Sequence, residues 1–240
     1  MNFVKLGTSK NFILFLHGWG GSIDSFFWTK TYFKEYSLIY VDFYGFGKSS
    51  EPPEPMHVVD YAVEIKKILN QYEIDSLVIV GHSFGGRVAI KFAYLYQESY
   101  KNLKLLLIDS AGIKPKRTLA YHFKIFHYKF LKKRAKTNEK ARKKLSKFGS
   151  SDYKKLSSIM KQTFINIVNE DLSYEAKLIN VQVVIIWGKN DKETKLYMAK
   201  KLNKFISGSK LYIFDKAGHF SYLDNKQEFL IILDSLVQNK

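Results

Sequence analysis

Short apolar runs rich in β-branched and aromatic residues alternate along the chain with segments that have apolar residues at three- and four-residue spacing. This alternation predicts an α/β domain with a mainly parallel sheet flanked by helices. The predicted strands are Phe12–Leu16, Ser37–Asp42, Ser76–Val80, Leu103–Ile108, Val181–Trp187 and Lys210–Phe214, with Phe3–Leu6 as an added edge strand. The predicted helices are Val58–Tyr72, Phe84–Tyr96, Lys195–Phe205 and Gln227–Val237. At 240 residues, the chain fits one such domain with room for a modest insertion.

The alternation breaks once, between residues 113 and 180, where the sequence predicts several helices and no strand. We therefore expect a core of residues 1–112 and 181–240, with a helical cap inserted at 113–180. The cap has 18 Lys or Arg against 5 Asp or Glu, so it carries +13 of the chain's formal charge of +17. Aromatic residues Phe123 and Phe126 share one face of a basic amphipathic helix. They are candidates for contact with the apolar part of a substrate.

The basic cap favours an anionic or amphiphilic small-molecule substrate, and it also allows contact with an anionic membrane surface. The chain is rich in Lys, Phe, Tyr, Ile and Asn together, a set that AT-biased codon usage also favours, so we expect no nucleic-acid partner. No apolar run approaches the roughly 20 residues of a membrane-spanning helix. The N-terminus lacks the long apolar stretch of a signal peptide, which predicts a cytoplasmic protein.

Several kinds of chemistry are excluded by residue content. The chain has no cysteine, which rules out disulfides, a thiol nucleophile and thiolate metal ligands. Its six histidines do not form a metal-binding spacing such as H-E-x-x-H, and no glycine-rich phosphate-binding motif occurs. We therefore expect no metal and no cofactor. The chemistry must come from hydroxyl, carboxyl and imidazole groups.

The candidate nucleophile is Ser83, in the sequence Gly81-His82-Ser83-Phe84-Gly85. This G-x-S-x-G pattern lies directly after a predicted strand and before a predicted helix. A sharp strand-to-helix turn strains the serine backbone and needs small neighbours, which explains the glycine two residues before and after it. The setting predicts a serine exposed at the carboxyl edge of the sheet.

A serine hydroxyl needs a base to accept its proton, and imidazole can serve near neutral pH. His219 is the best candidate because it follows the last predicted strand and would emerge at the same sheet edge as Ser83. His17 and His82 are the alternatives. His17 follows the first core strand and His82 lies beside the nucleophile, so structural roles are expected for both.

The third group is an acid that orients the imidazole and stabilises the imidazolium. Asp191 follows the strand Val181–Trp187 and a glycine turn, again at the carboxyl edge. Asp109, directly after the strand Leu103–Ile108, is the alternative. Position after the glycine turn favours Asp191.

A negatively charged tetrahedral intermediate requires backbone N–H donors. The N–H of Phe84, next to the nucleophile, is one predicted donor. The loop His17-Gly18-Trp19-Gly20-Gly21 supplies the other, at Trp19, which is also a candidate for substrate contact.

Four elements together resemble the α/β-hydrolase superfamily: the loop at residues 17–21, the turn at residues 42–49, the glycine-flanked Ser83, and Asp191 with His219. The chain looks most like the small carboxylesterases, whose His-Gly-Trp-Gly loop supplies an oxyanion donor. Relatives with an aspartate nucleophile are excluded by the serine at position 83.

The resemblance implies hydrolysis of a carboxylic ester through an acyl-enzyme, without a cofactor. Thioester, lactone and carbon–carbon bond hydrolysis use the same groups and stay open at this stage. A hydrolase fold acting as a non-enzymatic small-molecule receptor is the alternative from another class.

Overall fold

A computed structural model describes residues 1–115, 119–145 and 151–238, and within them seven strands form a single sheet. The sheet order is β1-β3-β2-β4-β5-β6-β7; β1 runs antiparallel to β3 and every other pairing is parallel. The expectation of a mainly parallel α/β sheet is confirmed. The strands are β1 Asn2–Leu6, β2 Asn11–Leu16, β3 Ser37–Asp42, β4 Ser76–His82, β5 Leu103–Ile108, β6 Gln182–Gly188 and β7 Lys210–Phe214.

Helices cover both faces of this sheet because the strand side chains alternate between two apolar clusters. These helices are α1 Asp24–Phe27, α2 Val58–Leu69, α3 Phe84–Tyr96, α9 Leu196–Phe205, α10 Ser221–Asp224 and α11 Lys226–Gln238. Leu14 and Leu16 of β2 pack in one cluster with α2, α3 and α9, whereas Ile13 and Phe15 pack in the other with α1, α10 and α11. The five inner strands, β2 to β6, are buried on both faces, as the continuous apolar sequences of most strands predicted, whereas the edge strands β1 and β7 are partly exposed.

Two strands end later than the sequence predicted, and both ends lie where the candidate residues follow. β4 continues past Val80 because Gly81 and His82 pair with β5. β6 begins and ends one residue later than predicted, and Gly188 pairs with Phe214 of β7. Local composition favours stopping at a glycine, but pairing with a neighbouring strand extends the ladder.

The segment between β5 and β6 is helical in the residues that the structure describes. Its helices are α4 Leu119–Arg134, α5 Glu139–Leu145, α6 Ser151–Lys155, α7 Ser158–Asn169 and α8 Ser173–Lys177. In α7, Thr163 accepts a hydrogen bond from the Met56 N–H at 3.0 Å, and Asn166 donates to the Met56 carbonyl at 3.3 Å. These bonds fix α7 on the core. No helix in the described ranges is long and apolar enough to cross a membrane.

The C-terminal end of the insertion is anchored to α3, the helix that follows the candidate nucleophile. Lys91 forms ion pairs with Glu170 at 2.9 Å and Glu175 at 2.5 Å. The buried Arg87 donates to the Glu170 carbonyl at 2.7 Å. Burial lowers the pKa of Lys91, but the two glutamates outweigh it and leave the pKa above its ordinary value. The charged pair therefore holds the insertion against α3.

Candidate active site

Ser83 occupies the turn between β4, which ends at His82, and α3, which begins at Phe84. Its backbone has φ +51° and ψ −108°, a region that residues other than glycine rarely adopt. A Cβ on Gly85 would collide with the Leu16 carbonyl, and one on Gly81 would collide with the backbone of Gly85. The strained turn is therefore possible only because these two positions are glycine.

The structure brings Ser83, His219 and Asp191 together at the carboxyl edge of the sheet. His219 Nε2 lies 3.0 Å from Ser83 Oγ, and His219 Nδ1 lies 2.8 Å from Asp191 Oδ2. A carboxylate only accepts hydrogen bonds, so Nδ1 carries the proton and Nε2 presents its lone pair to the serine hydroxyl. This arrangement can transfer the Ser83 proton to imidazole.

The ionisation of this pair favours a charged acid beside a titratable base. Burial raises the pKa of Asp191, but hydrogen bonds from His219 and Thr194 outweigh it and leave the pKa below its ordinary value. Burial lowers the pKa of His219, but the hydrogen bond and charge of Asp191 raise it above its ordinary value. The Asp191 carboxylate therefore stabilises the imidazolium that would form when His219 takes a proton.

Asp109, the alternative acid, accepts from neither nitrogen of His219. Its carboxylate accepts from the Gly188 N–H at 2.7 Å, from the Ser221 N–H at 3.0 Å and from the Ser221 hydroxyl at 2.6 Å. It is fully buried, and burial raises its pKa to about 7. Asp109 thus ties the loop that carries His219 to the end of β6, after which Asp191 follows.

The two alternative bases are also buried and engaged. His82 Nε2 lies 2.7 Å from the His219 carbonyl, and burial, together with the charge of His219, lowers the pKa of His82 to about 3. A neutral ring beside a carbonyl must donate, so His82 holds the backbone of His219. His17 Nε2 accepts from the Phe43 N–H at 3.1 Å, which secures the loop after β2.

The two predicted oxyanion donors lie beside Ser83. A Cβ on Gly18 would lie 3.4 Å from the Ser83 Cβ, which places the loop at residues 17–21 against the nucleophile. The ring centroid of Trp19 lies 5.6 Å from that of Phe84. The Phe84 N–H belongs to the first turn of α3, where amides have no partner within the helix. Donation by Trp19 and Phe84 to an oxyanion stays a prediction.

An aromatic wall beside the nucleophile includes a residue that the sequence analysis missed. Trp19 contacts Phe46 at 4.8 Å and Phe164 of α7 at 5.1 Å between ring centroids, and Phe164 contacts Tyr153 at 5.7 Å. The sequence predicted that the insertion is helical, but it held no signal for which helix faces the core. The i,i+3 and i,i+4 spacing of Met160, Phe164 and Ile167 indicated that α7 is amphipathic, without naming its partner.

Phe123 and Phe126, the predicted substrate contacts of the insertion, are 77% and 70% exposed on α4. Neither has a described ring contact with Trp19 or with Phe164. Their contact with a substrate stays a prediction. Across residues 1–115, 119–145 and 151–238, no group of three or more His, Asp or Glu side chains could hold a metal ion.

Comparison with known proteins agrees with the fold described above. Residues 11–116 match the family described as the alpha/beta hydrolase fold. The AB hydrolase superfamily protein YisY of Bacillus subtilis is 24% identical, over 90% of this chain and 87% of that protein. A proline iminopeptidase of Saccharolobus solfataricus is also 24% identical, over 96% of this chain and 86% of that protein.

Among solved structures, an esterase from Exiguobacterium antarcticum superposes with a TM-score of 0.75 at 23% sequence identity. The superposition covers 99% of this chain and 95% of the esterase. At this identity the match establishes the fold, while the bond that is cleaved must be argued from the site.

Proposed function

Because this chain is an α/β-hydrolase-fold protein, we propose that it is a serine hydrolase that cleaves a carboxylic ester through an acyl-enzyme. The observation that carries the proposal is the continuous chain of two contacts, 3.0 Å from Ser83 Oγ to His219 Nε2 and 2.8 Å from His219 Nδ1 to Asp191 Oδ2. Nucleophilic catalysis by serine requires this order of groups. The strained turn at Ser83 supports the same role, because strain at a reactive side chain is typical of catalytic sites.

The proposed reaction has two halves. Ser83 Oγ bonds to the acyl carbon while its proton moves to His219 Nε2, and the Phe84 and Trp19 N–H groups stabilise the oxyanion. The alcohol leaves with the proton from His219, and the acyl group stays on Ser83. Water then gives a proton to His219 and attacks the acyl carbon, which releases the acid and restores the serine hydroxyl.

The aromatic wall supports an apolar acyl group as the preferred substrate. Trp19 contacts both Phe46 and Phe164 beside the nucleophile, and binding of apolar groups increases with the apolar area removed from water. Each added methylene that such a wall buries contributes about 0.8 kcal/mol, or roughly a fourfold gain in affinity. We therefore expect kcat/KM to rise with the length of the acyl chain, which a small polar site would not produce.

A fluorophosphonate probe and a series of p-nitrophenyl esters from acetate to octanoate test the proposal. We expect labelling and turnover in the wild type and loss of both in Ser83→Ala, with kcat lowered by at least about 10⁴-fold. Ser50→Ala is the matched control, since Ser50 is an exposed serine elsewhere, and it should react as the wild type does.

The same assay separates the alternatives. Folded wild-type protein that neither labels nor turns over any ester would leave the receptor interpretation in place and overturn the proposal. Faster turnover of a proline p-nitroanilide than of every ester would assign a peptidase instead. Thioester and lactone substrates belong in the same panel, because they present an acyl carbon to the same serine.

A further inference from the structure

Three phenylalanines lie uncovered on one face of α4. Phe123, Phe126 and Phe130 are 77%, 70% and 49% exposed, and their spacing of three and four residues places them on a single stripe of the helix. Large aromatic side chains in a row on the surface are uncommon in a protein that has no partner for them. The stripe is therefore a candidate binding surface.

Another side of α4 already has its partner. Leu131 and Ala135 are buried with Ala141 of α5 in a small cluster of their own. At 100° per residue, Leu131 and Ala135 lie about 110° and about 150° from the centre of the phenylalanine stripe. Packing between α4 and α5 thus uses a different face and leaves the stripe open.

Positive charge surrounds the stripe. Residues 119–145 contain ten Lys or Arg and a single Glu. Lys132, Lys133 and Arg134 are exposed at the end of α4. The guanidinium of Arg134 lies 5.3 Å from the centroid of the Phe130 ring. Cations therefore border the aromatic surface directly.

The positive charge of α4 and α5 favours one class of binding partner over the others. A second copy of this chain would bring ten further cations against the first ten, so self-association through this face is opposed. A nucleic-acid duplex would pair with the cations but would offer the three aromatic rings no apolar interior. An anionic lipid bilayer supplies both partners, because phosphate groups meet Lys and Arg while acyl chains receive Phe.

We propose that the α4 stripe and the cations of α4 and α5 form a docking surface for an anionic lipid bilayer. The rings of Phe123 and Phe126 enter the boundary between headgroups and acyl chains, and the exposed cations at the end of α4 attract the lipid phosphates. The contact is peripheral, since a helix that buries only one stripe of side chains lies in the plane of the interface. The proposal does not depend on the reaction that Ser83 performs.

Sedimentation of the full chain with vesicles tests the docking surface. We expect binding to phosphatidylcholine vesicles that contain phosphatidylglycerol, weak or no binding to phosphatidylcholine alone, and release at high salt. The variants Phe123→Ser/Phe126→Ser and Lys132→Gln/Lys133→Gln should each weaken binding by about tenfold or more. Binding by Ser83→Ala should equal that of the wild type, which keeps this test independent of catalysis.

Matched controls exist elsewhere on the surface. Ile231→Ser removes an exposed apolar side chain (68%) from α11, and Lys200→Gln/Lys204→Gln removes two exposed lysines from α9. Both controls should bind vesicles as the wild type does. Thermal melting of every variant verifies that each is folded.

Three outcomes would overturn the proposal. The first is the absence of binding to anionic vesicles at low salt by folded wild-type protein. The second is equal weakening by the α4 and control variants, or weakening by the lysine pair alone, either of which reduces the contact to adsorption by net charge. The third is binding of a labelled single-stranded oligonucleotide that the α4 variants weaken while vesicles are ignored, which would assign a nucleic-acid surface.

Discussion

The candidate site at the carboxyl edge of the sheet and the α4–α5 hairpin are built in opposite ways. At the candidate site, Asp109 and Asp191 are buried and accept several hydrogen bonds each, and His82 and His219 are held by partners in the loops that follow other strands. In the hairpin, aromatic rings and lysines face outward. Buried polar groups need matched partners, whereas exposed groups are solvated wherever they point.

The sequence therefore specifies these two regions in different ways. Hydrogen-bond partners fix the positions of the side chains at the candidate site. In the hairpin, the sequence specifies only which residue types lie on the surface. Substitutions at the candidate site should therefore change activity or stability strongly, and substitutions in the hairpin should change neither.

Replacing Asp191 by Asn should lower kcat by about 10⁴-fold, because the amide can favour the wrong imidazole tautomer and no longer stabilises the imidazolium. The half-maximal point of kcat/KM on the acid side should also move to lower pH. Asp191 raises the pKa of His219, so its removal lowers that pKa. The pH–rate profile of a p-nitrophenyl ester checks both effects.

Asp215 provides the control for Asp191. It is exposed and paired with Lys189 at 2.8 Å, and surface pairs contribute little. Asp215→Asn should leave kcat within about twofold, as expected of a surface substitution. An equal loss in both variants would contradict the assignment of Asp191 as the orienting acid.

Replacing Asp109 by Ala should lower the free energy of unfolding by about 2–5 kcal/mol. The substitution leaves the Gly188 and Ser221 N–H groups buried without an acceptor, and each such group costs about 1–3 kcal/mol. Urea unfolding measures the loss. Asp24→Ala, which removes an exposed aspartate, should change the unfolding free energy by no more than about 0.5 kcal/mol.

The stability of the wild type should carry a pH dependence that Asp109→Asn lacks. The pKa of Asp109 is about 7 in the folded chain and near its ordinary value of 3.8 when unfolded, so the folded state holds the proton more tightly. Stability from this group is full below about pH 4 and is lost as the pH rises towards 7. Urea unfolding of both proteins at several pH values measures the difference, and identical pH slopes would exclude the effect.

Replacing Phe123 by Ser should change the unfolding free energy by no more than about 0.5 kcal/mol and leave turnover of p-nitrophenyl acetate unchanged, because the side chain is exposed. Phe164→Ser is the contrast, since its ring contacts Trp19 in the aromatic wall. That variant should raise KM more for octanoate than for acetate esters. A large loss of ester turnover in Phe123→Ser would place α4 at the substrate instead.

Many strand and helix bounds could be predicted from the sequence, because the local apolar pattern coincides with the residues that pack in the fold. The strands Ser37–Asp42, Leu103–Ile108 and Lys210–Phe214 have the predicted bounds. The first two are apolar runs that are buried in the sheet over their whole length, and the third is an edge strand that pairs with β6. The helix Phe84–Tyr96 has the predicted bounds as well. The ends of β4 and β6 were placed wrongly, because pairing with a neighbouring strand extends a strand through glycine.

The candidate site could likewise be predicted only in part. Ser83, Asp191 and His219 follow the strands β4, β6 and β7 in chain order, and chain order with strand placement is enough to suggest which residues share an edge. From the sequence alone, Asp191 is only preferred over Asp109, because both residues follow parallel strands. In the structure, Asp191 Oδ2 lies 2.8 Å from His219 Nδ1, whereas Asp109 Oδ2 accepts from the Ser221 hydroxyl at 2.6 Å.

Periodicity and composition are local properties, so the sequence alone predicts the sheet, the helical insertion, the charge of that insertion and the residue types at the candidate site. Contacts in the folded chain place Phe164 of α7 against Trp19 and leave Phe123 of α4 exposed. Both helices carry aromatic residues at three- or four-residue spacing from other apolar residues. Which apolar face is covered depends on contacts between residues far apart in the chain, and no local pattern encodes those.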